Sequence, residues 1–298
     1  MGSQSHESLV TPEIVGSRVF VCVGDVKYDL APFTEFSGCT FRKVDFSGLS
    51  LVSCTFVNVR FEGYRFRSTE LSHSTFIHTT FENCDFADAS ALWTHFDSCV
   101  FDLNSLVSSR FTYAVFTNCS LSNCVLSGSR VEDAVFQSCK MSDVDVNGAN
   151  LNYSKFLDCT LNNVSGPEEP LQFSHGLVER STLTGCKWFD SLLVSTTFHE
   201  AKLCKSNFWK ATLYKCHFLN TSLLHTGFNE TTIMESTFQY SEINSCRFRL
   251  IEPQSTAFEN CRISTTLFEG SDLTNTIFFG CEFDRNFYGQ STEHPTKI

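Results

Sequence analysis

Charge is scarce in this chain. Asp, Glu, Lys and Arg together make up 18% of the residues, and the formal balance is −11. A protein that grips nucleic-acid phosphates needs a basic surface, so direct nucleic-acid binding is excluded. No apolar run approaches the roughly 18 residues needed to cross a bilayer. The opening MGSQSHESLVTPEIVGSRVF lacks a basic segment followed by an apolar one, so no secretory signal of the regular kind is expected. There are 15 cysteines but no CxxC pair with zinc spacing, so no metal is expected. No glycine-rich loop suited to phosphate is present, and no carboxylate–His–nucleophile set emerges. His73, His78 and His95 are read as solvated side chains. No catalytic residue, cofactor or enzymatic activity is therefore expected.

Phenylalanine, by contrast, is abundant: 31 residues against 3 Met and 6 Pro. So many rings cannot all remain in water, and a large regular interior is implied. Their spacing defines it. From Phe36, every fifth residue as far as Leu161 is Phe, Leu, Val, Met or Ala. A second register, offset by two, runs from Leu183 through Trp188 and Phe198 to Phe248. It meets Pro253 and resumes from Phe258 to Phe283. Five is neither the helical nor the strand period. Two places before a central residue the side chain is usually small, and all the cysteines except Cys22 and Cys204 fall there. Large and small residues thus alternate inside a narrow stacked tube. Each five residues turn one corner, and four fives close a square coil of about twenty. The cysteines are read as core thiols, which suit a reducing cytosol.

This pattern resembles the pentapeptide-repeat family, whose motif is written A(D/N)LXX, over about residues 32–285. The resemblance implies an all-β fold, a right-handed quadrilateral parallel β-helix. Roughly twelve coils at ~4.8 Å each would make a rod on the order of 55–60 Å long. The chain departs from the motif in using mainly Phe at the centre. Asp or Asn at the second position is confined chiefly to Asp45, Asp85, Asp145, Asn150, Asn207 and Asp272.

The expected organisation is an N-terminal cap over 1–31, a first stack over 32–161, a break over 162–182, a second stack over 183–285 and a polar tail over 286–298. The cap is read as a hairpin or irregular strand turning at Gly24-Asp25. The break holds two extra residues, expected in a loop around Ser165 to Pro170 with an acidic tip at Glu168 and Glu169. That loop is either a tolerated insertion or a partner contact.

Three outward columns follow from the step of twenty. One reads Ser53, His73, Trp93, Tyr113, Asp133, Tyr153, with Leu92 beside Trp93. It is either a backbone shield or a protein-binding stripe. A second stacks Glu62, Glu82 and Asp102, either solvated or kept for a basic partner. The third gathers Lys187, Lys202, Lys205, Lys210 and Lys215 near Trp209 and Tyr214. The expected function is a non-enzymatic rod or scaffold for another protein, as monomer or dimer, without membrane contact. It would be cytoplasmic, and the Phe- and Cys-rich pattern resembles bacterial effector-type members delivered to a host cytosol. The alternative implied by the resemblance is a DNA mimic that binds DNA gyrase or topoisomerase IV and protects against quinolones.

Overall fold

The structure is a computed structural model. It describes the backbone of residues 13–15, 18–23 and 26–29, then residues 31–42, 44–166, 168–251, 253–286 and 288. The cap turn at Gly24-Asp25 and nearly all of the tail lie outside the described residues. Near the start, β1 (Glu13–Val15), β2 (Arg18–Val23) and β3 (Val26–Asp29) form an antiparallel sheet, with Val23 opposite Val26.

From Thr34 onward the chain is a parallel β-solenoid of about twelve turns, with four faces to each coil. The first face carries Phe36, Phe56, Phe76 and their successors to Phe278, in a sheet of 13 three- or four-residue strands. The second runs from Phe41 to Phe283 in another sheet of 13. The third starts at Phe46 and the fourth at Leu51. Both are joined coil to coil mainly by single bridges such as Asp45 with Arg65 and Ser50 with Glu70.

Such short strands exist because within each three-residue segment only the central side chain turns inward. In Arg60–Glu62, for instance, Phe61 is buried while its neighbours are exposed. Rings on one face stack in register: Phe96 on Phe116 at 4.7 Å and Phe116 on Phe136 at 4.7 Å, within 10° of parallel. Rings on adjacent faces meet edge to face, as Phe56 and Phe61 do at 5.6 Å and 63°. Both geometries suit the aromatic quadrupole. In the second stack Phe rings keep the first and third faces, while Leu203, Leu223 and Ile243 fill the second. The core is continuous from Phe36 to Phe278.

The position two before each centre does more than save space. Cys99 Sγ donates to Phe76 O at 3.3 Å, and Thr94 Oγ1 to Leu71 O at 2.9 Å. Thr226 and, one coil on, Cys246 repeat the bond, as does Ser241 on the adjacent face. Cysteine, serine and threonine are interchangeable there because each is a compact donor that adds a hydrogen bond to a buried carbonyl of the previous coil. The Asp and Asn residues noted at the second motif position have a parallel role. Asp45, Asp85, Asp145, Asn150, Asn207 and Asp272 each accept a hydrogen bond from the main-chain N–H two residues on, at 2.9–3.1 Å. These are Asx turns that fix the corner.

The rod differs from the expected organisation at both boundaries. The second register is already entered at Phe173, followed by Val178, both fully buried, rather than at Leu183. The strand Lys155–Leu157 pairs directly with Leu177–Glu179. The two extra residues are therefore absorbed between Ser165 and Gln172, which hold normal bridges to Asp145 and Asn150. The repeat also reaches Tyr288, whose ring stacks on Phe268 at 5.6 Å, with Asn286 Nδ2 donating to Ile263 O. Pro253 fills a buried centre position, and the three-stranded sheet of the fourth face ends at Met234, one coil before it. Proline offers no N–H to extend it.

Two substitutions separate these contributions. Phe116→Ala should cost about 3–5 kcal/mol by chemical denaturation, because neighbouring coils cannot close the gap. Cys139→Ser should change stability by less than about 1 kcal/mol, since a hydroxyl can reach the same two carbonyls, Phe116 O and Gln137 O. A Cys139→Ser loss as large as that of Phe116→Ala would refute this account of the small position.

Candidate interaction surfaces of the rod

The aromatic column sits at the corner that follows the fourth face. Its members His73, Trp93, Tyr113, Asp133 and Tyr153 all have left-handed backbones, with φ from 56° to 63°. Tyr113 and Tyr153 are the third residues of hydrogen-bonded turns closed by Ala114 N to Phe111 O and by Ser154 N to Leu151 O. Glycine or asparagine suits that place best, and a bulky residue there costs on the order of 1 kcal/mol. Trp93 is 56% exposed, Tyr113 41% and Tyr153 51%. Trp93 and Tyr113 stack at 4.1 Å and 15°. Tyr153 stacks on His175 at 4.8 Å. His175 extends the column by one coil; the 22-residue step across the break hides it from a search at twenty. Leu92 is half-buried beside Trp93, its N–H donating to Ser72 Oγ.

The acidic column is also in register: Glu62 pairs across the strands with Glu82, and Glu82 with Asp102. Its charge is largely answered from within. Arg60 forms an ion pair with Glu82 and lies 3.9 Å from Glu62. Asp102 Oδ1 accepts from Ser122 Oγ at 2.7 Å and Asn123 Nδ2 at 3.1 Å, and these bonds lower its pKa.

Glu168 and Glu169 are exposed, but their loop is held to the previous coil. Asn147 Oδ1 accepts from Glu168 N at 3.0 Å, and Gly148 N donates to Glu169 O at 3.2 Å. The structure thus places the three proposed sites on separate surfaces: the fourth-face corner, the second face and the break.

The lysine group divides. Lys210 lies 4.4 Å from the Trp209 ring centre and 3.9 Å from Glu230, while Lys215 lies 4.8 Å from the Tyr214 ring centre and 3.5 Å from Glu235. Lys187, Lys202 and Lys205 have no such carboxylate among the described residues. No group of three or more His, Cys, Asp or Glu side chains among them is arranged to hold a metal ion.

Fourteen cysteines are described, all as free thiols. Burial pushes Cys84, Cys216 and Cys246 up to about 12. At the last coils a hydrogen bond shared with Cys261 lowers half-buried Cys281 to about 7, while the Cys261 thiol is pushed up.

A family model described as Pentapeptide repeats matches in 8 copies, over residues 65–102 and 132–165. No curated protein matches the sequence. Among solved structures, the chain is similar to QnrB1, a plasmid-mediated fluoroquinolone resistance protein, at 13% identity over 79% of this chain and 91% of that one, with a TM-score of 0.34. It is similar to HetL, a pentapeptide repeat protein involved in heterocyst differentiation regulation from Nostoc sp. strain PCC 7120, at 14% identity over 86% and 87%, with a TM-score of 0.30. It also resembles tailspike protein 3 of bacteriophage CBA120, at 11% identity over 89% and 56%, with a TM-score of 0.43.

A depressed thiol pKa means that Cys281 becomes thiolate as pH rises through about 7, whereas thiols near 12 stay protonated. Iodoacetamide should label Cys281 ahead of Cys84, Cys216 and Cys246. Its rate should climb between pH 6 and 8, followed by peptide mass spectrometry. Equal labelling of all four in the folded protein would contradict this.

Proposed function

We propose that this chain, a pentapeptide-repeat protein, is a rigid non-enzymatic rod that presents its aromatic column to a protein partner. The observation that carries the reading is the Trp93–Tyr113 stack. Two large rings stand half out of water at left-handed corners where a glycine or asparagine would cost less. Ring pairs of this kind gain about 0.5–1.5 kcal/mol from each other, and their remaining faces and edges offer contact area at little conformational cost. The core is filled by stacked rings, so recognition falls to the outer walls. A core holding this many free thiols suits a reducing compartment, either a bacterial cytosol or a host cytosol reached by delivery.

The second reading, a DNA mimic directed at gyrase or topoisomerase IV, draws support from the in-register Glu62–Glu82–Asp102 column and the net charge of −11. The ion pairs of Arg60 with Glu82 and Arg67 with Asp85 weaken it, because they interrupt the regular negative potential that such mimicry needs.

Two measurements distinguish these readings. In affinity capture with identified partners, Trp93→Ala combined with Tyr113→Ala should reduce binding at least about tenfold, the scale of two interface aromatics, while Glu62, Glu82 and Asp102 changed to Lys leave it intact. In a gyrase supercoiling assay with and without a fluoroquinolone, the rod should have no effect. Inhibition or protection that disappears in the triple-Lys variant would replace the first reading with the second.

A further inference from the structure

Outward-facing cations of the second stack fall into two groups. Lys210, Lys215, Arg249 and Arg262 each lie 3.1–3.9 Å from a glutamate one coil on: Glu230, Glu235, Glu269 and Glu282. Lys205 and Arg247 have no carboxylate at ion-pair distance among the described residues, and they border the same notch on the third face. This notch has a volume of about 230 Å³ and no carboxylate in its lining.

The repeat explains how the notch forms. Asn207, Gly227 and Arg247 occupy the same outward position in three successive coils, joined by parallel bridges. Lys205 and His225 hold the left-handed corners just before that face, with φ of 53° and 52°. Asn229 stands at the corner after it. Gly227 is the floor. Its φ is ordinary, so backbone conformation does not require glycine there, and a Cβ would come within 2.9 Å of Asn207 Oδ1. Trp209 N donates to Asn207 Oδ1 at 3.1 Å, and Arg249 N to Asn229 Oδ1 at 3.3 Å. With both amide oxygens engaged, the NH2 groups are the ends available to a ligand. The notch therefore combines a guanidinium, an ammonium, an imidazole and two amide donors, on a protein whose net charge is strongly negative.

We propose that this notch binds a single phosphoryl group, as a phosphomonoester dianion. A guanidinium and an ammonium bordering one notch, with neutral donors in its lining, suit a tetrahedral dianion through charge-assisted hydrogen bonds. Beyond Arg247 the column turns apolar at Leu267, while on the other side Lys187 occupies the same outward position one coil before Asn207. Lys187 lies outside the notch lining, and the notch itself, at about 230 Å³ with Lys205 and Arg247 on its border, is of a size for one such group. The notch is open to solvent on the rod's wall, so the group can arrive on a small metabolite or on a phosphorylated side chain. This site is separate from the aromatic column and does not depend on it.

Isothermal titration calorimetry at fixed ionic strength tests the proposal, using inorganic phosphate, a phosphoserine peptide and the same peptide without phosphate. The two phosphorylated ligands should bind saturably and the unmodified peptide should not. Arg247→Ala and Gly227→Leu should each weaken binding about tenfold or more, the scale of a lost charge-assisted bond. Gly227→Leu also crowds Asn207 Oδ1, so Arg247→Ala, which adds no atoms, is the decisive variant of the two. Arg249→Ala, which removes a cation paired with Glu269, should leave affinity within about twofold. A phosphopeptide much tighter than phosphate would identify a modified protein as the source, and equal affinities a small phosphomonoester. Absence of saturable binding, or full binding by both Arg247→Ala and Gly227→Leu, would overturn the site.

Discussion

At many corners a carbonyl turned into the rod gains a donor from the small residue of the following coil. That bond, made by Cys99, Thr94, Ser241 and many others, sits between an inward ring and the next wall, where no water enters. It favours a compact donor at one position in five, which Ala114, Ala134 and Val59 occupy without it. An apolar residue there gives up the bond, and the large Tyr64 is taken in only by packing against Phe46 and Phe61. Ring stacking along a face and Asx turns at the corners presuppose coils already held at this spacing.

Much of the fold was legible in the sequence because burial in a narrow tube is nearly all-or-none. A Phe at the fifth position has nowhere else to go, so the period survives chemical variation from Phe116 to Leu121 to Met141. The small position was legible as size but not as a donor, since Cys, Ser and Thr share both properties. Leu183 seemed to begin the second register because Val178 is preceded by Gly176 and Phe173 by Leu171, which blurs the small-then-large signature. Tyr288 escaped notice because Asn286 replaces the usual small residue, although its amide makes the same bond.

The surfaces were harder to read. Stepping by twenty places Glu62, Glu82 and Asp102 in a column, but it does not show that Arg60 reaches across a coil to Glu82. Charges on long side chains are set by rotamers, which no period records. The lysine group shows the same limit: two members are matched by Glu230 and Glu235, while Lys205 is left to share a notch with Arg247, a residue two coils away. The outer wall of the rod is thus a mosaic of neutralised and unneutralised columns. The latter, aromatic or cationic, are where a ligand can gain most, because no internal partner has to be displaced first.

The two residues absorbed between Ser165 and Gln172 act as a phase correction. Because one coil is four pentapeptides, an insertion of five threaded through the walls would turn every later face by a quarter revolution. The corner carrying Lys205 and His225 would then lie around the rod from its present bearing relative to Trp93. By bulging outward, the loop lets the chain change length without changing azimuth, and His175 still falls in line with Tyr153. The rod therefore behaves as a keyed shaft: its surface features keep fixed angular offsets that length changes of less than a full coil preserve only where they are diverted into a loop.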